Sequence, residues 1–141
     1  MGLDMYFVEV WNYCGHCHQH KEQDLFYFRK HADLNGWLYN EWDKDKDTYN
    51  YEVREDDKGV YKYLYVGDTK DAEFDCCYML ITPELVEKLK EYVEKGDYKK
   101  YEGFFWGSST EEDWRQTKEE LIPKIEEAHK KGHQVFYHPW W

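Results

Sequence analysis

Val60-Tyr61-Lys62-Tyr63-Leu64-Tyr65-Val66 reads as a β-strand, rich in rings and β-branched residues and stopped by Gly67-Asp68. A second strand is predicted over roughly Phe74 to Ile81, with Gly67 to Ala72 turning one strand back on the other as a hairpin. Thr82-Pro83-Glu84 follows at once and starts a helix, with Thr as N-cap, Pro in the first turn and an acid beside it. Leu85, Val86, Leu89, Tyr92 and Val93 give that helix its buried stripe, and Lys95-Gly96 ends it. Two strands and then a capped helix select a sheet with helices packed on it.

Outward from this block, Leu3 to Tyr13 reads as an opening strand and Cys14 to Gln23 as a polar, His-rich loop. The aromatic run Leu25-Phe26-Tyr27-Phe28 leads into helical spacing at Phe28, Leu34, Trp37, Leu38 and Trp42, and residues 43–58 read as a polar connection. Gly103-Phe104-Phe105-Trp106-Gly107 is a short aromatic strand. Ser109 or Thr110 caps a last helix bearing Trp114, Leu121, Ile122, Ile125 and Ala128, which Pro123 should kink or deprive of one hydrogen bond and Gly132 ends. Gln134 to His138 is a final strand. The expected fold is α+β: one domain over residues 1–141, a mixed, mostly antiparallel sheet and about three helices.

Leu, Ile, Val and Phe make up 27 of the 141 residues, and 30 acids against 19 bases leave a formal charge of -11. Those figures alone suggest disorder. The 7 Trp, 14 Tyr and 7 Phe point the other way, because each ring buries a large area. The core is expected to be built from rings. No apolar stretch is long enough for a membrane helix, and the average field repels phosphate, so neither a membrane nor direct nucleic-acid contact is expected. The start Met1-Gly2-Leu3-Asp4-Met5 lacks a basic, apolar leader. Cys14, Cys17, Cys76 and Cys77 are therefore read as cytosolic thiols or metal ligands.

Met1-Gly2-Leu3-Asp4-Met5-Tyr6 resembles the start of a family of small, mostly phage-encoded proteins. The resemblance continues at Tyr27-Phe28-Arg29-Lys30 through Trp37, at Asp75-Cys76, and at Gly103-Phe104-Phe105-Trp106-Gly107-Ser108, in the family's order. Asn35 departs from the pattern, since many relatives carry His there, and the Cys14 to His20 loop is not part of it. The family has no settled activity. What the resemblance implies is a viral protein working in the host cytoplasm.

Two constellations carry candidate chemistry. Cys14-Gly15-His16-Cys17-His18 sets two thiols at zinc-knuckle spacing with imidazoles beside them, so Cys14, Cys17, His16 and His18 are candidate zinc ligands, the rival reading being a solvated loop. At most one of Cys76 and Cys77 could join them. The second groups Tyr27, Arg29, Lys30, His31, Asn35 and Trp37 with Phe105 and Trp106. Rings beside two cations suit a planar anionic ligand such as a nucleotide, whereas rings at helical spacing suit a core. No nucleophile elbow, phosphate loop or His-Glu-x-x-His stretch is present, so no catalytic residue is assigned. The expected function is binding without turnover, by a phage accessory protein that withdraws a nucleotide-like ligand from a host defence process. One rival is an acidic DNA mimic that occupies a basic host protein through residues 41–75, where 12 acids face 6 bases. The other is a small metal-assisted nucleotide hydrolase. Association of identical copies is compatible with the sequence.

Overall fold

The computed structural model describes residues 2–11, 21–55, 62–67, 72–100 and 108–141, with backbone alone at 53–55 and 62–66. Six strands form one sheet: β1 (Asp4–Trp11), β2 (Lys21–Arg29), β3 (Asn50–Glu55), β4 (Lys62–Val66), β5 (Tyr78–Leu80) and β6 (Gln134–Trp140). Their order is β2-β1-β6-β5-β3-β4, and every described pairing is antiparallel. The helices are α1 (Ala32–Lys44), α2 (Lys46–Tyr49), α3 (Pro83–Lys95), α4 (Glu111–Gln116) and α5 (Ile122–Lys130). The class is α+β, as expected.

Alternation along the strands builds two faces. Leu3, Met5, Phe7, Phe28, Met79, Val135 and Tyr137 point to the helices and share a core with Leu34, Leu38 and Trp42 of α1, Leu85 and Leu89 of α3, and Ile122 and Ile125 of α5. The other face gathers Val8, Val10 and Phe136 under Tyr6, Tyr51, Tyr78 and Leu80, with no helical residue among them. Tyr27 stands opposite Tyr6, Tyr6 opposite His138, and Tyr78 opposite Tyr51, while His138 stacks on Tyr78 at 4.2 Å. Five rings thus form one row across five strands.

Several local expectations change. Residues 43–58 contain α2 and β3, because Asn50–Glu55 alternates polar and apolar positions and its charges masked the strand. The expected hairpin of residues 60–66 with 74–81 does not form: β3 lies between β4 and β5 and pairs with both. The strand predicted over Phe74 to Ile81 shrinks to β5, since a turn at 75–76 with Cys76 at φ 65° precedes it. Lys21 to Gln23 belong to β2, a charged edge strand, and the helix expected from about Phe28 begins only at Ala32. Between Phe26 and Asp24 the register on β1 skips Leu25, a β-bulge.

The strongly punctuated helices form where expected. Thr82 Oγ1 accepts from the Leu85 N–H at 3.1 Å, Pro83 opens α3, and Gly96 ends it at φ 66°. Thr110 and Asp113 form a capping box on α4. Ahead of Pro123 the helix changes type. Residues Thr117–Leu121 form a π-turn in which the Ile122 N–H donates to the Thr117 carbonyl, a wider step that accommodates a ring lacking an N–H. The expected strand around Phe104 to Trp106 and the loop from Cys14 to His20 lie outside the described residues.

Candidate functional site

His31 precedes α1 but gives it no side-chain cap. Ser109, from the loop before α4, does so instead: its Oγ accepts from the Asp33 N–H at 2.8 Å. The donors settle the His31 tautomer. Thr117 Oγ1 spends its proton on the Asp113 carbonyl at 2.8 Å, so His31 Nε2–H donates to it at 3.0 Å. Nδ1 is then the acceptor for the Ser109 hydroxyl at 2.6 Å. The fully buried ring sits edge-on to Phe28 and Trp114 at 4.9 and 4.6 Å. Burial without any charge nearby pushes its pKa down to about 3. Serine on histidine has the distance of a nucleophile and its base, but a base this weak takes no proton at neutral pH. The pair is a structural staple.

Asn35 lies one turn further on, also fully buried. Its Oδ1 accepts from the Tyr137 hydroxyl at 2.6 Å, and its Nδ2 has no partner among the described residues. Tyr137→Phe should therefore cost about 1–3 kcal/mol, because it strands the Asn35 carbonyl oxygen. Adding Asn35→Leu should recover most of that loss. Urea unfolding of the single and double variants checks this, and a neutral Tyr137→Phe would show that the bond contributes nothing.

Trp114 also forms the wall of a cleft. Gly96 in the left-handed region turns the chain after α3, and Tyr98 comes back flat against Trp114, 3.9 Å away with planes 2° apart. Tyr92 meets both rings edge-on at 5.8 and 5.9 Å, and Trp37 stacks on Tyr92 at 5.7 Å. The Tyr98 hydroxyl donates to the Val93 carbonyl at 3.2 Å, which fixes the wall. The cavity in front of it measures about 640 Å³ and is bordered by Lys100, Lys118 and Arg115 on the cationic side and by Asp33, Asp97 and Glu111 on the acidic side. Glu112, Glu119 and Glu120 hold the Arg115 guanidinium at 2.5–3.2 Å. Lys100 and Lys118 have no acidic partner among the described residues. Trp114 is 7% exposed with one face under Tyr98, so such a cleft can stack a planar group on Tyr98, meet an anion with two ammonium groups, and accept N–H or O–H donors on its carboxylates.

The structure distributes the predicted residues. His31 and Trp37 back the cleft through Trp114 and Tyr92. Asn35 is in the core. Tyr27 and Arg29 stand on the opposite sheet face, where the Tyr27 hydroxyl donates to Asp4. Lys30 is exposed, at φ 62°. Phe105 and Trp106 lie outside the described residues, although Lys100 and Ser109, either side of that stretch, both line the cleft.

Cys14, His16, Cys17 and His18 likewise lie outside the described residues. Among the described residues no group of three or more His, Cys, Asp or Glu could hold a metal. Cys76 is exposed and Cys77 buried. Burial, with Asp75 beside it, raises the Cys76 thiol above its ordinary range.

Sequence reasoning missed Tyr98, Trp114, Lys100 and Lys118 as site residues, although Tyr98-Lys99-Lys100-Tyr101 interleaves rings and cations in an acidic chain. It also missed Glu9, 3% exposed, whose carboxylate bonds His133 Nδ1 at 2.5 Å and Gln23 Nε2 at 3.2 Å. Burial raises that carboxyl's pKa, but the two hydrogen bonds and the nearby positive charge outweigh it and leave the pKa lowered. Among the described residues no helix is long and apolar enough to cross a membrane. No protein-family model, no curated protein and no solved structure matches this chain.

Proposed function

We propose that the protein acts by binding, taking a small planar anionic ligand of the nucleotide class into the cleft between α3 and α4. The observation that carries this is the flat Tyr98–Trp114 wall beside two lysines without acidic partners among the described residues, in a chain of charge -11. The cavity volume lies inside the roughly 300–1,000 Å³ range of small-molecule sites. In the setting that the sequence resemblance implies, a phage accessory protein in the host cytoplasm, such binding withdraws the ligand from a host process.

The test is calorimetric titration with a panel of purine and pyrimidine mono-, di-, tri- and cyclic phosphates. At least one should bind, and Lys100→Ala with Lys118→Ala should lower its affinity at least about tenfold, the scale of a lost charge-assisted contact. Thermal unfolding of the exposed-lysine variant should be unchanged. Wild-type affinity in that variant, or a folded protein that binds nothing in the panel, overturns the reading. Turnover of the ligand would favour the hydrolase.

A second reading has its own support. Glu52, Glu73 and Asp75 line a recess of about 420 Å³ within the acidic stretch 41–75, as a surface presented to a basic host protein would. Affinity for such a partner should fall steeply with salt, that for a stacked ligand less so.

A further inference from the structure

Rings gather again around Phe74. Tyr39 and Trp42, neighbours on α1, lie 5.3 and 5.2 Å from it, and Trp141 lies 6.2 Å away on another side. They border a recess of about 410 Å³ whose polar side carries Glu73, Asp75 and Lys46. Tyr39, 37% exposed, stands at the rim, whereas Trp42 and Phe74, 1% and 3% exposed, form the floor, with Lys46 lying over the Trp42 ring.

An aromatic face is the negative end of a quadrupole and attracts a cation within about 6 Å of its centroid. The recess already shows this preference. Lys46 Nζ lies 5.0 Å from the centre of the Trp42 ring while pairing with Asp43 at 3.4 Å. Asp75 is held in place, its Oδ1 accepting from the Trp141 N–H at 3.0 Å, and Glu73 is exposed at the rim. The recess lies within the acidic stretch 41–75, so an anion is repelled. Rings cannot replace the water of a small hydrated metal ion, whereas an alkylammonium group can give up its water to ring faces and keep its charge near carboxylates.

We propose that this recess is a binding site for an organic ammonium group, which takes the place of Lys46 over the Trp42 ring beside Tyr39 and Trp141, with Glu73 and Asp75 as counter-charge and Lys46 as a built-in competitor. The ammonium comes either from a free small molecule or from a lysine side chain of a partner protein. The site shares no residue with the α3–α4 cleft, so each can fail without the other.

The probe is tetramethylammonium chloride, titrated into the intact chain at constant ionic strength with sodium chloride as control. The readout is the upfield ring-current shift of the methyl proton resonance. Saturable binding absent with sodium is expected. Tyr39→Ala, at a residue 37% exposed, should weaken it about threefold to tenfold. Glu73→Gln should weaken it too, and covers the case in which Tyr39→Ala does not fold. Lys46→Ala should tighten binding severalfold by removing the resident cation. A peptide carrying trimethyllysine separates the sources: tighter binding than free tetramethylammonium points to a protein side chain, equal or weaker binding to a small molecule. No saturation beyond the sodium control, unchanged binding in folded Tyr39→Ala, or weaker binding in Lys46→Ala overturns the proposal.

Discussion

Stability should begin to fall as the pH drops below about 6.5, and His31 alone should remove about 5 kcal/mol by the time pH 3 is reached. The groups around the ring, Ser109, Thr117, Phe28 and Trp114, are all neutral and hold it in its uncharged form. In the unfolded chain His31 takes a proton near 6.5, whereas in the fold it does so only at about 3. The unfolded state therefore binds more protons throughout that window. Its contribution is complete above pH 6.5 and drains away as the pH falls, at about 1.4 kcal/mol per pH unit. Glu9, with its lowered carboxyl, acts in the same direction but only in the carboxylate range. Urea unfolding between pH 7 and 5 avoids that range, and the other six histidines are common to wild type and variant. The wild type should lose more stability there than His31→Gln, which is weaker at pH 7. Parallel curves for the two proteins would mean that the ring is accessible to protons in the fold.

Trp42→Ala should cost about 3–5 kcal/mol, comparable with the whole stability of many small domains. The side chain is among the largest fully buried in the molecule. It also ties elements together. The indole N–H donates to Asn50 Oδ1 at 3.3 Å, and the Asn50 carbonyl accepts from the Gly67 N–H at 2.9 Å. A Cβ on Gly67 would come within 2.5 Å of Asn50 Nδ2, so the glycine is there for closeness. The chain from α1 through β3 to the end of β4 is thus fastened at one point. Trp42→Phe keeps most of the volume and loses the N–H, so it should cost clearly less. Equal losses in the two variants would show that the hydrogen bond, and not the packing, dominates.

What the sequence made legible follows from how local each signal is. The helix α3 was readable because Thr82, Pro83 and Gly96 act within one turn of the chain, and α4 because Thr110 and Asp113 cap it reciprocally. The strand β3 was not, because Asn50, Glu52, Arg54 and Glu55 look like loop residues until β4 and β5 pair with both edges. In the candidate site, the residues around α1 could be named from the sequence but not their direction. His31, ahead of the helix, and Asn35, within it, are both fully buried, and a helix face is assigned only by what packs on it. The cleft itself joins Tyr98, behind one helix, to Trp114 inside another. Neither carries a local mark of the other, and only the docking of α3 beside α4 brings them together.

The place of β6 has a consequence in time. It lies between β1 and β5 and, among the described strands, joins the β2–β1 pair to the β5–β3–β4 group. Residues 4–11 are made before residues 134–140, which are their inner neighbour. While the chain is being synthesised, β1 must wait with a bare, ring-rich edge until β6 has emerged. An edge of that kind is prone to pairing with another chain, and closure over such a separation is slow. Crowding of nascent chains, or any delay in delivering β6, should therefore send this protein toward aggregates more readily than its finished stability would suggest.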